Sequence, residues 1–485
     1  MPLPFVPFCD TPLRLAELAA DPPPLAEERP AYAASEVCID PQELADGEGL
    51  RGTFDQTLDT AHFHLAWDAE NRVVDEALVD VYAAAAERAW EFQIDRLGWK
   101  APDQTDTCLI TLLIADFSDA DSGTGGYTNV ERTGGVPYII LNTDWAEYGD
   151  PWTETLVTHE FNHASQFAYD VFWEESDWWY WESSAEWVPY EDYDYPDVWM
   201  WSLSYYLDAP WRSLDSYSGL SQYGHWVYNR HLSETYGQDV VQAIWATAGA
   251  RDSVADAVDA ALANDGVTFE DTVLGFSSHA AAMDFEEGDV WLEALGYFEA
   301  LGYWEADDYA PTVSTYPASG EAPERGAPQE HGQSFVHFTG SADAVLAFAG
   351  DATVDDVDAD WAITVAAADG SGGFVHTSDR AAADGTATVT LPLATSGDVY
   401  VAFVPMGGIG ERGAQYTWSA AVDEGGGDDT GSPAGDDTGA DTDRPPKQDD
   451  DGEEPGGCGC DGGASPAGLV WLAGAALAAR RRRPA

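Results

Sequence analysis

The chain predicts an α+β fold: a small mixed sheet with a helical subdomain, followed by an all-β sandwich. Three features of its 485 residues carry that prediction. The stretch Cys108–Ala115 is apolar almost throughout, as a strand buried on both faces must be. From Asp150 onward apolar residues recur at helical spacing, and the helical, aromatic character persists to about Trp304. Beyond Ala310 the period changes to two, in short runs separated by turn residues.

Taken in order, residues 1–50 are rich in proline and alanine, with one helical stretch at 13–20, and read as a pro-segment or packing arm. The body begins near Gly52. Residues 61–68 read as a strand, in which His62 and His64 are cross-strand polar neighbours rather than ligands. A long helix with alanines on its faces spans 75–97 and leads to the buried strand. Residues 116–135 form a glycine-rich loop, too irregular for a phosphate-binding fingerprint. Residues 136–142 (VPYIILN) are another strand. Asp150 and Pro151 then supply an N-cap and a proline at the first helical position. Leu156, Phe161, Ala164, Phe167 and Ala168 continue the helical period to about Tyr169. A second helix, with Asp177 as its cap, reaches Tyr190. Further helices are expected at 222–236, 240–248, 252–263 and 269–283. Strands at 334–338, 344–348, 361–367, 386–391, 399–404 and 416–422 have the spacing of a β-sandwich of about 110 residues.

The chemistry concentrates in His159-Glu160-Phe161-Asn162-His163. Positions i and i+4 share a helix face, so His159 and His163 can direct two imidazole nitrogens at one metal ion. Glu160 is placed to hold a metal-bound water and take its proton, the layout of a zinc peptidase helix. Such a site needs a third protein ligand and an open position. No histidine follows His163 until His225, which removes a histidine-rich third-ligand motif. Glu182 lies far enough along for the chain to turn and return as a second helix, and Ser183, Ser184 and Ala185 are small enough for close approach. Glu182 is therefore the expected third ligand. Glu186, one turn on, is its rival, or else a partner of a zinc histidine. Tyr223 is the first candidate for steadying an oxyanion and His225 the second.

The run His159–Gln166 (HEFNHASQ) followed by 181–187 (WESSAEW) resembles the gluzincin-type metalloprotease family of myxobacteria and related bacteria. The resemblance extends to the Cys9-Asp-Thr-Pro-Leu start, the strand at 61–67, the helix at 89–102 and the Gln222-Tyr-Gly-His-Trp-Val-Tyr228 helix. It implies a zincin-like domain with zinc held by His159, His163 and Glu182, and Glu160 as general base and acid. It also implies that the backbone of 138–142 is a cleft edge that pairs with extended substrate. An ordinary internal strand is the competing reading of that segment.

Composition narrows the partners. The chain has 20 basic against 88 acidic residues, a net charge of −68, which excludes a phosphate-binding surface for nucleic acid. The acidic clusters at 191–194 and 355–360 are candidates for Ca²⁺, or for plain hydrated surface. With five cysteines and no CxxC zinc pattern, Cys9 and Cys38 are expected to close a loop in an oxidising compartment, and Cys108 to be a buried thiol. Residues 423–464 are an acidic low-complexity stalk containing Cys458 and Cys460. An apolar run at 465–479 and Arg480 to Arg483 complete the 465–485 tail. That order resembles a myxobacterial C-terminal sorting tail, which implies export and surface display or release. Membrane contact is then confined to the tail, and the sorting and processing machinery is a partner. No signal peptide is visible at Met1, so an upstream start is expected.

The expectation is thus a secreted or surface-linked zinc endopeptidase, monomeric, acting on a protein or peptide. It has an arm at 1–50, a peptidase domain at 51–309 and a sandwich at 310–422. A non-catalytic surface adhesin that keeps the peptidase fold is the alternative.

Overall fold

The computed structural model describes residues 8, 9, 11, 36–70, 74–117, 124–131, 135–300, 309–323 and 326–423. The helical stretch at 13–20, the stalk, Cys458, Cys460 and the tail lie outside them. The fold is α+β: the described residues form a mixed sheet, a helical body, two further large sheets and one two-stranded sheet. Among the described residues no helix is long and apolar enough to cross a membrane.

Strands β1 (Phe8–Cys9), β2 (Glu36–Val37), β3 (Gln56–Asp59), β4 (Phe63–Trp67), β5 (Cys108–Ala115), β6 (Thr124–Val130) and β7 (Pro137–Asn142) form one sheet. Its order is β1-β6-β7-β5-β4-β3, with β2 pairing onto β5. Strand β5 is buried at every position because both of its faces are covered. On one face, Ile110, Leu112 and Ile114 meet Val157, Phe161 and Ala164 of the helix that carries the His159–His163 run. On the other, Leu113 and Ala115 pack with Ile39, Ala45 and Phe54. His62 stacks on Trp90 and binds Glu87, while His64 binds Asp59, its cross-strand partner.

Three sequence expectations change here. The glycine-rich loop contains β6, which pairs antiparallel with β7. Its Thr-Gly-Gly-Tyr-Thr-Asn-Val run is buried throughout, so no apolar–polar alternation announces it. Strand β7 is consequently internal, and Tyr138 and Asn142 are not at a free edge. The disulfide joins Cys38 to Cys108, and Cys9 is the buried free thiol. The cause is register: β2 runs parallel to β5 with Glu36 opposite Cys108, which delivers Cys38 to that sulfur.

The described α-helices ahead of residue 301 are α1 (Pro41–Glu48), α2 (Glu76–Trp90), α3 (Asp150–Phe167), α4 (Trp178–Asp192), α5 (Pro196–Asp208), α6 (Ser221–Gly224), α7 (Trp226–Tyr236), α8 (Val240–Thr247), α9 (Val254–Ala261), α10 (Phe269–Ala282) and α11 (Gly288–Ala300). Asp75 caps α2 by accepting from Leu78 N, and a π-helical turn, Glu91–Arg96, closes it. Helix α3 begins at Asp150 itself, one residue earlier than a cap at Asp150 implies, with Gly149 at the cap position and φ of +98°. That dihedral suits a residue without Cβ. Asp177 stands at the N-cap position of α4 but its side chain makes no capping bond there; its Oδ1 accepts from Val254 N at the start of α9. Helix α5, aromatic and buried over most of its length, lies in the stretch expected to be helical, where no separate element is bounded.

After α11 come β8 (Thr312–Val313), β9 (Ala318–Glu321), β10 (Ser334–Thr339), β11 (Ala344–Gly350), the small β12–β13 pair (Thr353–Val354 and Val357–Asp358), β14 (Trp361–Ala368), β15 (Phe374–Arg380), β16 (Thr386–Leu391), β17 (Asp398–Pro405) and β18 (Tyr416–Val422). They make a five-stranded sheet, β15-β14-β17-β10-β8, and a four-stranded one, β16-β11-β18-β9. The two share a core in which Phe348 stacks on Phe403 at 5.1 Å. Period-two alternation turns Ile363, Val401 and Phe403 to that core, and Ala362, Ala402 and Val404 to the helical body. The five-stranded sheet therefore packs directly on α10.

The disulfide spans 70 residues of sequence. Chain-entropy arguments give such a loop about 4 kcal/mol of stabilisation. Cys38→Ser should lower unfolding free energy by a few kcal/mol in denaturant titration. Adding reductant to the wild type should reproduce most of that loss.

Candidate metal centre

Helices α3 and α4 pack against each other with Ser183, Ser184 and Ala185 fully buried between neighbours. That contact brings the His159 and His163 rings and the Glu182 carboxylate into one buried group. Cys9, from the far end of the sequence, joins it: the four ligand atoms all lie within 4.8 Å of one another.

The tautomers follow from the neighbours. His159 Nδ1 lies 2.9 Å from Glu186 Oε2, and His163 Nδ1 lies 2.6 Å from Gln166 Oε1. The amide orientation of Gln166 is fixed because its Nε2 donates to the Trp181 carbonyl at 3.0 Å and to Asn162 Oδ1 at 2.8 Å. Both facing oxygens only accept, so each Nδ1 carries a hydrogen. In its neutral form each ring then presents the Nε2 lone pair inward, and the two Nε2 atoms meet at 3.1 Å. Glu182 sets its oxygens 3.3 and 3.4 Å from the same nitrogens, and neither oxygen receives a hydrogen bond. Lone pairs converging out of reach of water repel one another unless a cation lies among them. This donor set therefore fits a metal ion.

The electrostatics have the same sense. Burial alone would lower His159, but Glu182 and Glu186 outweigh it and hold the imidazole up at about 10. Burial alone would raise Glu182, yet His163 and His159 draw it down to about 2. The pocket attracts positive charge.

Glu160 is fully buried, and burial raises its pKa. Thr128 Oγ1 lies 2.9 Å from Glu160 Oε2 and donates to the Glu160 carbonyl at 2.7 Å. Oε1 has no partner. Gly126 of β6 makes room for it: a Cβ there would stand 3.1 Å from Oε1 and 2.9 Å from the Ile140 carbonyl. Glu186, the rival ligand, instead serves as the partner of His159, and Tyr190 donates to its other oxygen. Tyr223, on α6, has its ring 6.2 Å from that of His159. His225 is buried against Trp179 and lies outside the ligand group, and burial lowers it to about 3. A cleft opens beside the group, lined among others by Cys9, Trp152, His159, Glu186, Tyr190 and Tyr223.

Several supporting residues carry no sequence signal. Gln93, in the π turn after α2, donates to the Thr158 carbonyl at 2.9 Å and accepts from Asn162 Nδ2 at 3.0 Å. Asn162 in turn fixes Gln166. A second trio, His279, Asp284 and His376, gathers where α10 meets β15, with His376 Nε2 at 2.9 Å from Asp284. Of the acidic clusters weighed for Ca²⁺, Glu191 is bound by Arg230 and Gln238, and Asp192 by Arg88. Asp355 pairs with Arg412 at 3.6 Å.

The comparisons with known proteins bear on this geometry. A family model described as DUF6055, a family of unknown function, matches residues 59–422. The chain belongs to that family. The match holds His159, Glu160, His163, Glu182 and Tyr223, and leaves Cys9 outside. No curated protein matches the chain. Two solved structures are similar in part. An aminopeptidase A from Legionella pneumophila, in complex with aspartic acid, is 13% identical with a TM-score of 0.30. A family GH115 4-O-methyl-α-glucuronidase is 10% identical with a TM-score of 0.15. The first alignment covers 72% of this chain but 36% of the aminopeptidase; the second covers 64% and 55%. Similarity at that level carries no argument about chemistry.

Gln166→Leu removes the acceptor of the buried His163 N–H while keeping side-chain volume close. Partners of metal-bound histidines are worth roughly 10–100-fold in affinity. Metal affinity, read by chelator competition, should fall by that factor with the far-ultraviolet circular dichroism unchanged.

Proposed function

We propose that the chain is a zinc-dependent peptide hydrolase of zincin-like arrangement. The observation that carries the reading is the inward convergence of His159 Nε2, His163 Nε2 and the donor-free Glu182 carboxylate, with Glu160 beside them. Two neutral imidazoles and one carboxylate are a donor set that suits zinc. When bound, zinc supplies Lewis acidity for a carbonyl oxygen and makes water a nucleophile near neutral pH.

The chain's own residues account for the rest. Glu160 accepts the proton of the attacking water and returns it to the leaving amine. Its burial raises its proton affinity, which favours the acceptance step. Thr128 Oγ1 lies beside Oε2, and Oε1 is left free for the water. Glu186 and Gln166 fix the tautomers that keep both Nε2 lone pairs available. Tyr223, lining the same cleft, is the donor assigned to the oxyanion. An extended peptide would enter along the outer side of β6, since β7 is internal.

We further propose that the protein works outside the cytoplasm. The Cys38–Cys108 disulfide supports an oxidising compartment, as does the sorting-tail resemblance. The sheets at 310–422 form, on this reading, a β-sandwich that braces the helical body rather than a second reactive site.

Glu160→Gln should keep one zinc per chain by elemental analysis and lose hydrolysis of unstructured protein substrates by at least ~10²-fold. Glu182→Ala should lose the metal itself. A metal-free wild type after equilibration with zinc would end the reading.

A further inference from the structure

The N-terminal strand occupies the same site three times over. Strand β1 lies along the outer side of β6, with Phe8 opposite Thr124 and Cys9 opposite Gly126. It thus covers the edge that would otherwise pair with an extended peptide. The Tyr223 hydroxyl is also engaged: it accepts from Cys9 N at 2.7 Å and lies 3.1 Å from the Cys9 carbonyl as donor. Finally, Cys9 Sγ stands among the ligand atoms of His159, His163 and Glu182, and is buried with them. Thr11, just beyond, reinforces the placement. Its Oγ1 accepts from Thr128 N at 2.8 Å, and its N–H donates to Cys9 Sγ at 3.3 Å.

The sulfur is more than a buried cysteine near a helix. The carboxylate it faces, Glu182, is fully buried with both oxygens lacking donors, so the group independently calls for a cation. Thiolate is among the strongest ligands for zinc. Three protein ligands leave a coordination position open for water; a fourth closes it.

We infer that Cys9 is the fourth ligand of the metal held by His159, His163 and Glu182, and that Phe8, Cys9 and Thr11 hold the protein latent by filling the water position, the strand edge and the Tyr223 donor together. This rests on the metallopeptidase reading above. The thiol proton is given up to solvent when sulfur binds the metal, and no redox step is involved. Activation then requires withdrawal of the segment. The body is tied at Cys38 to Cys108, so a single peptide-bond cut anywhere between positions 12 and 37 severs Cys9 from it.

The test uses the full chain loaded with Co²⁺ in place of zinc. The wild type should show the near-ultraviolet charge-transfer band of a thiolate–cobalt bond, and Cys9→Ser should lose the band while keeping one metal per chain. The zinc form of Cys9→Ser should hydrolyse unstructured protein several-fold faster than the wild type. A second measurement needs no variant. Alkylation mapped by mass spectrometry should spare Cys9 in the metal-loaded wild type and modify it after chelation. A cobalt-bound wild type with no thiolate band, or Cys9 alkylation indifferent to the metal, overturns the inference and leaves the metallopeptidase reading intact. A band without faster hydrolysis in Cys9→Ser overturns latency. A chain that binds neither metal overturns both readings.

Discussion

The structure depends on one electrostatic problem: four electron-rich ligand atoms gathered where water does not reach. An isolated buried carboxylate is costly by several kcal/mol, and two inward imidazole lone pairs add to the repulsion. Glu182 is fully buried, with the two histidine nitrogens as its polar neighbours. Everything around the group keeps those lone pairs turned inward. Glu186 and Gln166 hold the outer ring nitrogens; Tyr190, itself bound to Ser202, holds Glu186, and Asn162, itself bound to Gln93, holds Gln166. A chain that needed only a stable core would gain more from apolar residues at these positions. Their convergence is therefore an argument for function rather than for stability.

The aromatic helical body answers the same need mechanically. Ring orientation must be held to within a fraction of an ångström for the ligands to converge. Trp181 stacks near His163 at 6.3 Å and is itself wedged by Phe167 and Trp245. Trp245 also donates to Ser184, the hydroxyl that receives Gln166. Packing and hydrogen bonding here constrain the same atoms, so loss of either would loosen the histidines. The sheets beyond residue 310 extend that constraint, because Ala362, Ala402 and Val404 enter the core of the helical body.

What the sequence reveals of this site is what helical periodicity can encode. His159, Glu160 and His163 are legible because i and i+4 coincide on one face, and Glu182 because a second helix must return past the first. Glu186 is legible as one of two alternatives, and only the observed hydrogen bond to His159 separates them. The rest comes from contacts between distant segments. Thr128 and Gly126 sit in a run that reads as loop, since a strand buried on both faces without large apolar residues has no pattern. Gln93 lies in a π turn at the end of a helix, where the side-chain phase departs from the regular period. The Cys38–Cys108 pairing follows from a parallel register between a two-residue strand and the central strand, and neither partner's local sequence encodes it.

Cys9 belongs to that second class, and the sheet explains why it arrives. Strand β6 has β7 on one side, and without β1 its other side would expose unpaired backbone groups beside a cleft. An unpaired edge is a template for any extended chain. In a peptide hydrolase that edge is useful only when the correct chain occupies it, and hazardous before then. Phe8 and Cys9 satisfy the edge with the protein's own backbone, and the register sets Cys9 opposite Gly126, the position where the absence of a Cβ leaves space beside Glu160. The same glycine thus accommodates the base and lies opposite the cysteine. One close approach of backbone to side chain links the strand edge, the base and the metal group. A substituent at Gly126 would therefore disturb all three at once, whichever chain lies along the edge.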